Sequence, residues 1–225
     1  MKRAGATFAA IAFTCSACAT AMGPAPAYRA PAGPVIATFG GDSAMNARIL
    51  VAYASATGST AGVAEAIGKR LSESGVAVDV RPLTAVGDLG PYSAVVVGSA
   101  IHGGWLPEAV EFVRANREAL ARVPTAYFLV CMNVLNGGDG YQKLVAGYLE
   151  PVRAIVAPVA EGRFAGAMRF ADHPFFRRLG LRLWFAIAGL TEGDHRDWAA
   201  IRAWADETRP LLLPSAAASD ASASN

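Results

Sequence analysis

The stretch Arg48-Ile-Leu-Val-Ala-Tyr-Ala-Ser55-Ala-Thr57-Gly58-Ser-Thr60 decides the fold. Arg48 to Ala54 is a run rich in apolar residues, long enough for one buried parallel strand. It stops at Ser55, and the next six residues, Ser55, Ala56, Thr57, Gly58, Ser59 and Thr60, hold four hydroxyls and one glycine. A helical pattern follows at once, with Val63, Ile67 and Leu71 four apart. Strand, hydroxyl-rich turn and helix is an arrangement that holds a phosphate. The first N–H groups of the helix have no intrahelical acceptor and point at the anion, and the hydroxyls donate further hydrogen bonds. A glycine at position 58 permits close backbone approach or a positive φ.

Other phosphate motifs are absent. G-x-G-x-x-G does not occur here. The interval from Gly62 to Gly68-Lys69 holds five residues where a Walker A loop has four, and Arg70 stands where that loop needs Ser or Thr. The competing reading of Ser55–Thr60 is a Ser/Thr-rich helix cap with no ligand. The pattern Ser-x-Thr-Gly-x-Thr after a first strand resembles the phosphate loop of the flavodoxin family, and that resemblance implies FMN as cofactor.

Reading onward, Val76, Val78 and Val80 alternate in a second strand, and Tyr92–Gly98 reads as a third, fully buried one. Thr125–Cys131 is a fourth strand, residues 140–154 a helix and Pro158–Phe164 a fifth strand. The expected fold is α/β: a doubly wound, flavodoxin-like, five-stranded parallel sheet with helices on both faces, plus an extra basic-apolar helix near the C-terminus. Ligands of such sheets bind beyond the carboxyl ends of the strands where the strand order reverses. Three loops fall on that edge: Ser55–Thr60, Ser99–Trp105 and the segment after Cys131.

The second loop contributes Ser99, Ala100, Ile101, His102 and Gly103, small or compact residues whose backbone can read the edge of a flat ring. Trp105 either stacks on that ring or packs at the following helix. His102 is either an acid–base residue, since an imidazole exchanges protons near neutral pH, or a loop residue that touches the cofactor through its backbone. In the third loop, Asn133 and Asn136 either hydrogen-bond the ring or serve turns. No paired carboxylates, Ser-His-Asp order or metal-ligand spacing occurs, so any hard chemistry belongs to a cofactor.

The chain of 225 residues is 53% hydrophobic with a net charge of +2, which makes no case for nucleic acid. Charge is concentrated late: residues 163–182 hold five arginines (163, 169, 177, 178 and 182) against Asp172, a net +4. Within 174–190, Phe176, Leu179, Leu183, Ile187 and Leu190 fall in an arc of roughly 80° on a helix and read as the inward face. Arg177, Arg178 and Arg182 lie opposite, but Leu181 and Phe185 fall among them. Apolar groups between arginines suit a bilayer interface or an apolar ligand mouth, and an ordinary helix covered by the chain's own loops is the alternative.

Residues 1–44 read as a signal-like leader and Pro/Gly/Ala-rich linker. The alternative is a start placed too far upstream, since Met45 lies just before the first strand. Residues 45–213 read as one domain and 214–225 as a disordered tail. Cys15 and Cys18 sit in the leader, and Cys131 reads as a buried small side chain.

The order of strand, Gly166-Ala-Met-Arg169-Phe, basic-aromatic helix, Thr191-Glu-Gly-Asp and Asp197-Trp helix is similar to menaquinone-dependent protoporphyrinogen IX dehydrogenases over residues 47–210. The resemblance implies an FMN enzyme that takes electrons from a porphyrinogen-type substrate and passes them to a membrane quinone. Arg169, Arg177, Arg178 and Arg182 would then form a substrate or membrane patch. It also implies a cytoplasmic protein peripheral at the inner membrane, whereas a genuine leader would export or lipid-anchor it. Two other readings stand beside it: a flavodoxin-type electron carrier that docks on a redox partner protein and has no substrate of its own, and a membrane-tethered domain that keeps only the fold.

Overall fold

The computed structural model describes residues 31, 33–41, 47–172 and 174–213. Readings that fall on Cys15, Cys18 or the tail at 214–225 lie outside the described residues.

Strand β2 (Arg48–Ala54) is the centre of the sheet. It pairs in parallel with β3 (Ala77–Pro82) on one side and β4 (Ala94–Ala100) on the other. Beyond β4 lie β5 (Thr125–Val130) and β6 (Ala160–Phe164), both parallel. A short strand β1 (Ala37–Phe39) closes the far edge antiparallel to β3, giving the order β1-β3-β2-β4-β5-β6. The five parallel strands are those expected, and β1 is a sixth that the sequence reading of the sheet did not include. Two side-chain anchors hold it there. Tyr53 Oη accepts from Val35 N–H at 2.7 Å and donates to Val35 O at 3.0 Å, and Thr38 Oγ1 donates to Asp79 Oδ1 at 2.6 Å.

Alternation along β2 builds two cores, one on each side of the sheet. Ile49, Val51 and Tyr53 face Val63, Ile67 and Leu71 of α1 (Ser59–Ser72) and Ile201 and Ala205 of α7 (Trp198–Leu212). Leu50, Ala52 and Ala54 face the side of α2 (Pro107–Ala115), α3 (Arg117–Leu120), α4 (Asp139–Gly147) and α5 (Glu150–Arg153). The single helix expected over 140–154 is thus two short ones. Arg70 of α1 grips Asp206 of α7 at 2.8 Å, and Asp197 caps α7 by accepting from the amides of Ala199 and Ala200.

Between β6 and α7 the chain makes an excursion. A small hairpin of β7 (Ala167–Met168) and β8 (Gly193–Asp194) forms its neck, and α6 (Phe175–Ala188) is its body. The direction of α6 corrects the sequence reading. Phe176 and Ile187, expected inside, are 85% and 78% exposed, and Leu179 and Leu183 are exposed with them. The face among the arginines is the inward one: Phe185 is 1% exposed and meets Phe170 edge-on, 5.1 Å between ring centres. Arg178 donates to Ala171 O at 3.3 Å, and Arg182 lies over the Phe170 ring. Both sides of the helix carry apolar groups, so its periodicity marks a stripe without saying which stripe is covered.

Candidate functional site

The strand order reverses at β2, with β3 to one side and β4 to the other, so the carboxyl ends of β2 and β4 flank a crevice. The turn after β2 is shaped from within: Gly58 N–H donates to Ser55 Oγ at 3.0 Å, and Gly58 takes φ 85°, a left-handed conformation that opens α1. The amides of Ser59, Thr60 and Ala61 then start the helix with no acceptor inside it.

A cavity of about 330 Å³ lies over this edge. Thr57, Ser59 and Thr60 form one wall, Ala100, Ile101, His102 and Gly103 a second, and Cys131, Met132 and Asn133 a third. Ser55, Ala56 and Gly58 border an adjoining cavity of about 470 Å³ on the β3 side of the turn, which Thr57 shares. Ser99 and Asn136 line neither. Ser99 is fully buried and spends its hydroxyl inside its own loop, donating to Ala100 O at 2.8 Å and accepting from Leu106 N–H at 3.1 Å. Asn136 donates its backbone N–H to Asn133 O at 3.1 Å and keeps a buried side-chain amide nitrogen without a partner. Trp105 packs rather than stacks at the cavity: it is buried in the α2-side core, edge-on to Tyr127 at 5.6 Å. An Ile101–Trp105 bridge closes the loop, and His102 N–H donates to Gly104 O at 2.9 Å.

Several wall residues lie outside the three loops expected to hold a cofactor. Tyr148 comes from the join between α4 and α5 and accepts from Asn133 Nδ2 at 3.3 Å. Gly166, Ala167 and Met168 follow β6, and Leu181 reaches in from α6. The rule that pointed to three strand ends applies equally to a fourth, β6, and would have found the Gly166–Met168 segment. Burial pushes the Cys131 thiol up from its ordinary value, keeping a neutral thiol in the wall. The arginines do not converge here. Arg169 pairs with Asp172 at 2.8 Å, Arg163 with Glu161, and no arginine lines the cavity among the described residues.

Residues 50–195 of the chain match the flavodoxin domain. The chain belongs to the flavodoxin domain family. No curated protein matches it. Among solved structures it is similar to a short-chain flavodoxin associated with a non-canonical PDU bacterial microcompartment (TM-score 0.49, 12% identity, 76% of this chain and 99% of that one). It is also similar to flavodoxin 2 from Bacillus cereus (TM-score 0.41, 23%, 63% and 99%) and a flavodoxin from Streptococcus pneumonia TIGR4 (TM-score 0.40, 20%, 64% and 100%).

The cofactor of a flavodoxin domain is FMN, and the residues present fit it. Thr60 Oγ1 is the decisive atom: the residue is 1% exposed, its hydroxyl has no partner, and it stands in the cavity wall beside the free end of α1. An unsatisfied buried hydroxyl costs free energy that an arriving acceptor removes. The second and third walls present Ala100, Ile101, Gly103 and Met132, the apolar and backbone surface that a planar ring requires.

Proposed function

We propose that this protein is an FMN-dependent oxidoreductase working against a membrane, taking electrons from a porphyrinogen-type substrate and delivering them to a membrane quinone. Bound FMN supplies the acceptance and release of electrons. The chain supplies the rest. Thr57, Thr60 and the first amides of α1 hold the phosphate, while Ala100–Gly103, Met132, Asn133 and Tyr148 seat the ring and exclude water from its faces.

One observation carries the membrane part of this reading. Helix α6 sets Leu181 in the cofactor cavity from one side and turns Phe175, Phe176, Leu179, Leu183 and Ile187 to solvent from the other. The segment 174–190 contains three arginines and no acidic residue. An exposed aromatic-aliphatic stripe with basic neighbours is the chemistry of a helix lying in the headgroup region of an anionic bilayer. No helix among the described residues is long and apolar enough to cross a membrane, so contact would be through this face. A quinone in the bilayer would then meet the flavin edge across one helix.

The test is anaerobic. FMN-loaded protein mixed with protoporphyrinogen IX should lose its flavin absorbance and regain it on addition of a menaquinone analogue. Absorbance that persists with the porphyrinogen, yet falls when a reduced redox protein is added, would establish the carrier reading instead.

A further inference from the structure

The phosphate turn has no cation in its own sequence, yet the fold brings one to it from 137 positions away. Arg196 follows β8. Its guanidinium carbon lies over the Trp198 ring, 4.4 Å from the centroid, and Asp194 grips it, with Nε to Oδ1 at 2.8 Å and Nη2 to Oδ2 at 2.6 Å. The remaining nitrogen, Nη1, points the other way and donates to Ser59 O at 3.4 Å, at the first residue of α1. Space is reserved for it: a Cβ on Gly62 would stand 2.5 Å from Nη1. The neck of the excursion holds Ser59 from a second direction, since Ala167 N–H donates to Ser59 Oγ at 2.8 Å, and His195 N–H ties to Gly166 O at 3.1 Å.

The N-terminal end of a helix carries partial positive charge, and the guanidinium adds to it on the side facing Ser59 while the Asp194 carboxylate offsets it on the other. A dianionic phosphate received by the same turn is complementary to that charge. The surroundings otherwise favour no anion: Glu65, Glu108 and Asp172 border the cavities around the turn. Among the described residues lining those cavities, lysine and arginine occur only at Lys69 and Arg196, and Lys69 lies ten residues along α1, about 15 Å of rise away. The unpartnered, buried Thr60 hydroxyl independently marks the turn as awaiting an acceptor.

We propose that Arg196 is a positioning residue for the FMN phosphate, setting the charge and the seat of the Ser55–Thr60 turn through Ser59 while Asp194 and Trp198 fix its guanidinium. The inference rests on the FMN assignment alone and is independent of the membrane reading.

Riboflavin, which has the ring and ribityl chain but no phosphate, separates this role from a merely structural one. Flavin fluorescence titrations of the unaltered protein, Arg196→Gln and Arg196→Lys should show FMN binding weakened about tenfold by Gln, a 1.4 kcal/mol change, and less by Lys. Riboflavin affinity should change less than about twofold, and the FMN deficit of the Gln variant should shrink in high salt as the lost charge interaction is screened. Equal losses for both flavins, or a deficit indifferent to salt, would overturn the proposal and leave Arg196 a structural tie. Unchanged FMN affinity in the Lys and Gln variants would overturn it as well. Should Gln fail to fold, the FMN-to-riboflavin affinity ratio of Lys against the unaltered protein decides: the proposal requires it to fall. If the unaltered protein itself binds neither flavin, the cofactor assignment fails, and this inference with it.

Discussion

The central sheet and the 166–196 excursion follow opposite logic. In the sheet, every apolar alternation is spent on burial: Ile49, Val51 and Tyr53 go to one core, Leu50, Ala52 and Ala54 to the other. In the excursion, the most regular apolar stripe of α6 is spent on solvent, and the buried positions lie among arginines. Periodicity identifies which residues share a face, while burial depends on what that face meets. Strand β2 has a neighbour on each side and a helix layer above and below. Among the described residues, helix α6 meets the Phe170 turn and the cavity mouth, so the short inward contact of Phe185, Leu181 and Arg182 outranks the longer stripe.

The contrast breaks first if the sheet proves tolerant. Phe128 lies in a ring cluster with Phe164 at 6.2 Å and Trp204 at 6.4 Å, fully buried between β5 and α7. Phe128→Ala should cost about 3–5 kcal/mol in chemical denaturation. A smaller effect comes from Asp79, whose buried carboxylate receives Thr38, Tyr92 and Arg48. Burial alone would raise its pKa, but those hydrogen bonds and the Arg48 charge outweigh it and hold the carboxyl below its ordinary range. Asp79→Asn should therefore lose about 1–3 kcal/mol at neutral pH. A depressed folded-state pKa contributes stability that is complete above the unfolded value of about 3.9 and is lost as pH falls through the folded value. The gap between variant and parent should thus be constant above about pH 4 and narrow below it, measured by urea midpoints across pH.

The excursion should respond in the reverse way. Leu183→Ser with Ile187→Ser should leave stability within about 0.5 kcal/mol, because both side chains are already in water. The same pair should abolish co-sedimentation with phosphatidylglycerol-containing vesicles. Destabilisation without loss of vesicle binding would return the stripe to the interior and remove the contrast.

Much of the fold was legible because each parallel strand is a short apolar run closed by a turn signal, and the strand-to-helix order left few topologies. Strand β1 was not, since its short run is hemmed in by Gly33-Pro34 and Gly40-Gly41 and lies in a segment that reads as linker. It is recruited by Tyr53 and Asp79, whose partners no local pattern reveals. Of the site, the three loops were legible from strand ends, but the division of labour within them was not. Ser99 and Thr60 are both hydroxyls at the same edge, yet Ser99 is satisfied by Leu106 and Ala100 while Thr60 is left open. Whether a hydroxyl is consumed depends on backbone groups several residues away, which sequence spacing does not locate. Arg196 is the extreme case, a cation delivered to the turn by the excursion's neck.

The turn with which the sequence opened carries the central claim, and FMN titration tests it most directly. Apo-protein should quench FMN fluorescence to an endpoint of one equivalent, and Thr57→Ala with Thr60→Ala should weaken that binding about 100-fold, two charge-assisted hydrogen bonds lost. A protein that leaves FMN fluorescence unchanged, or a double variant that binds as tightly as its parent, would contradict the claim.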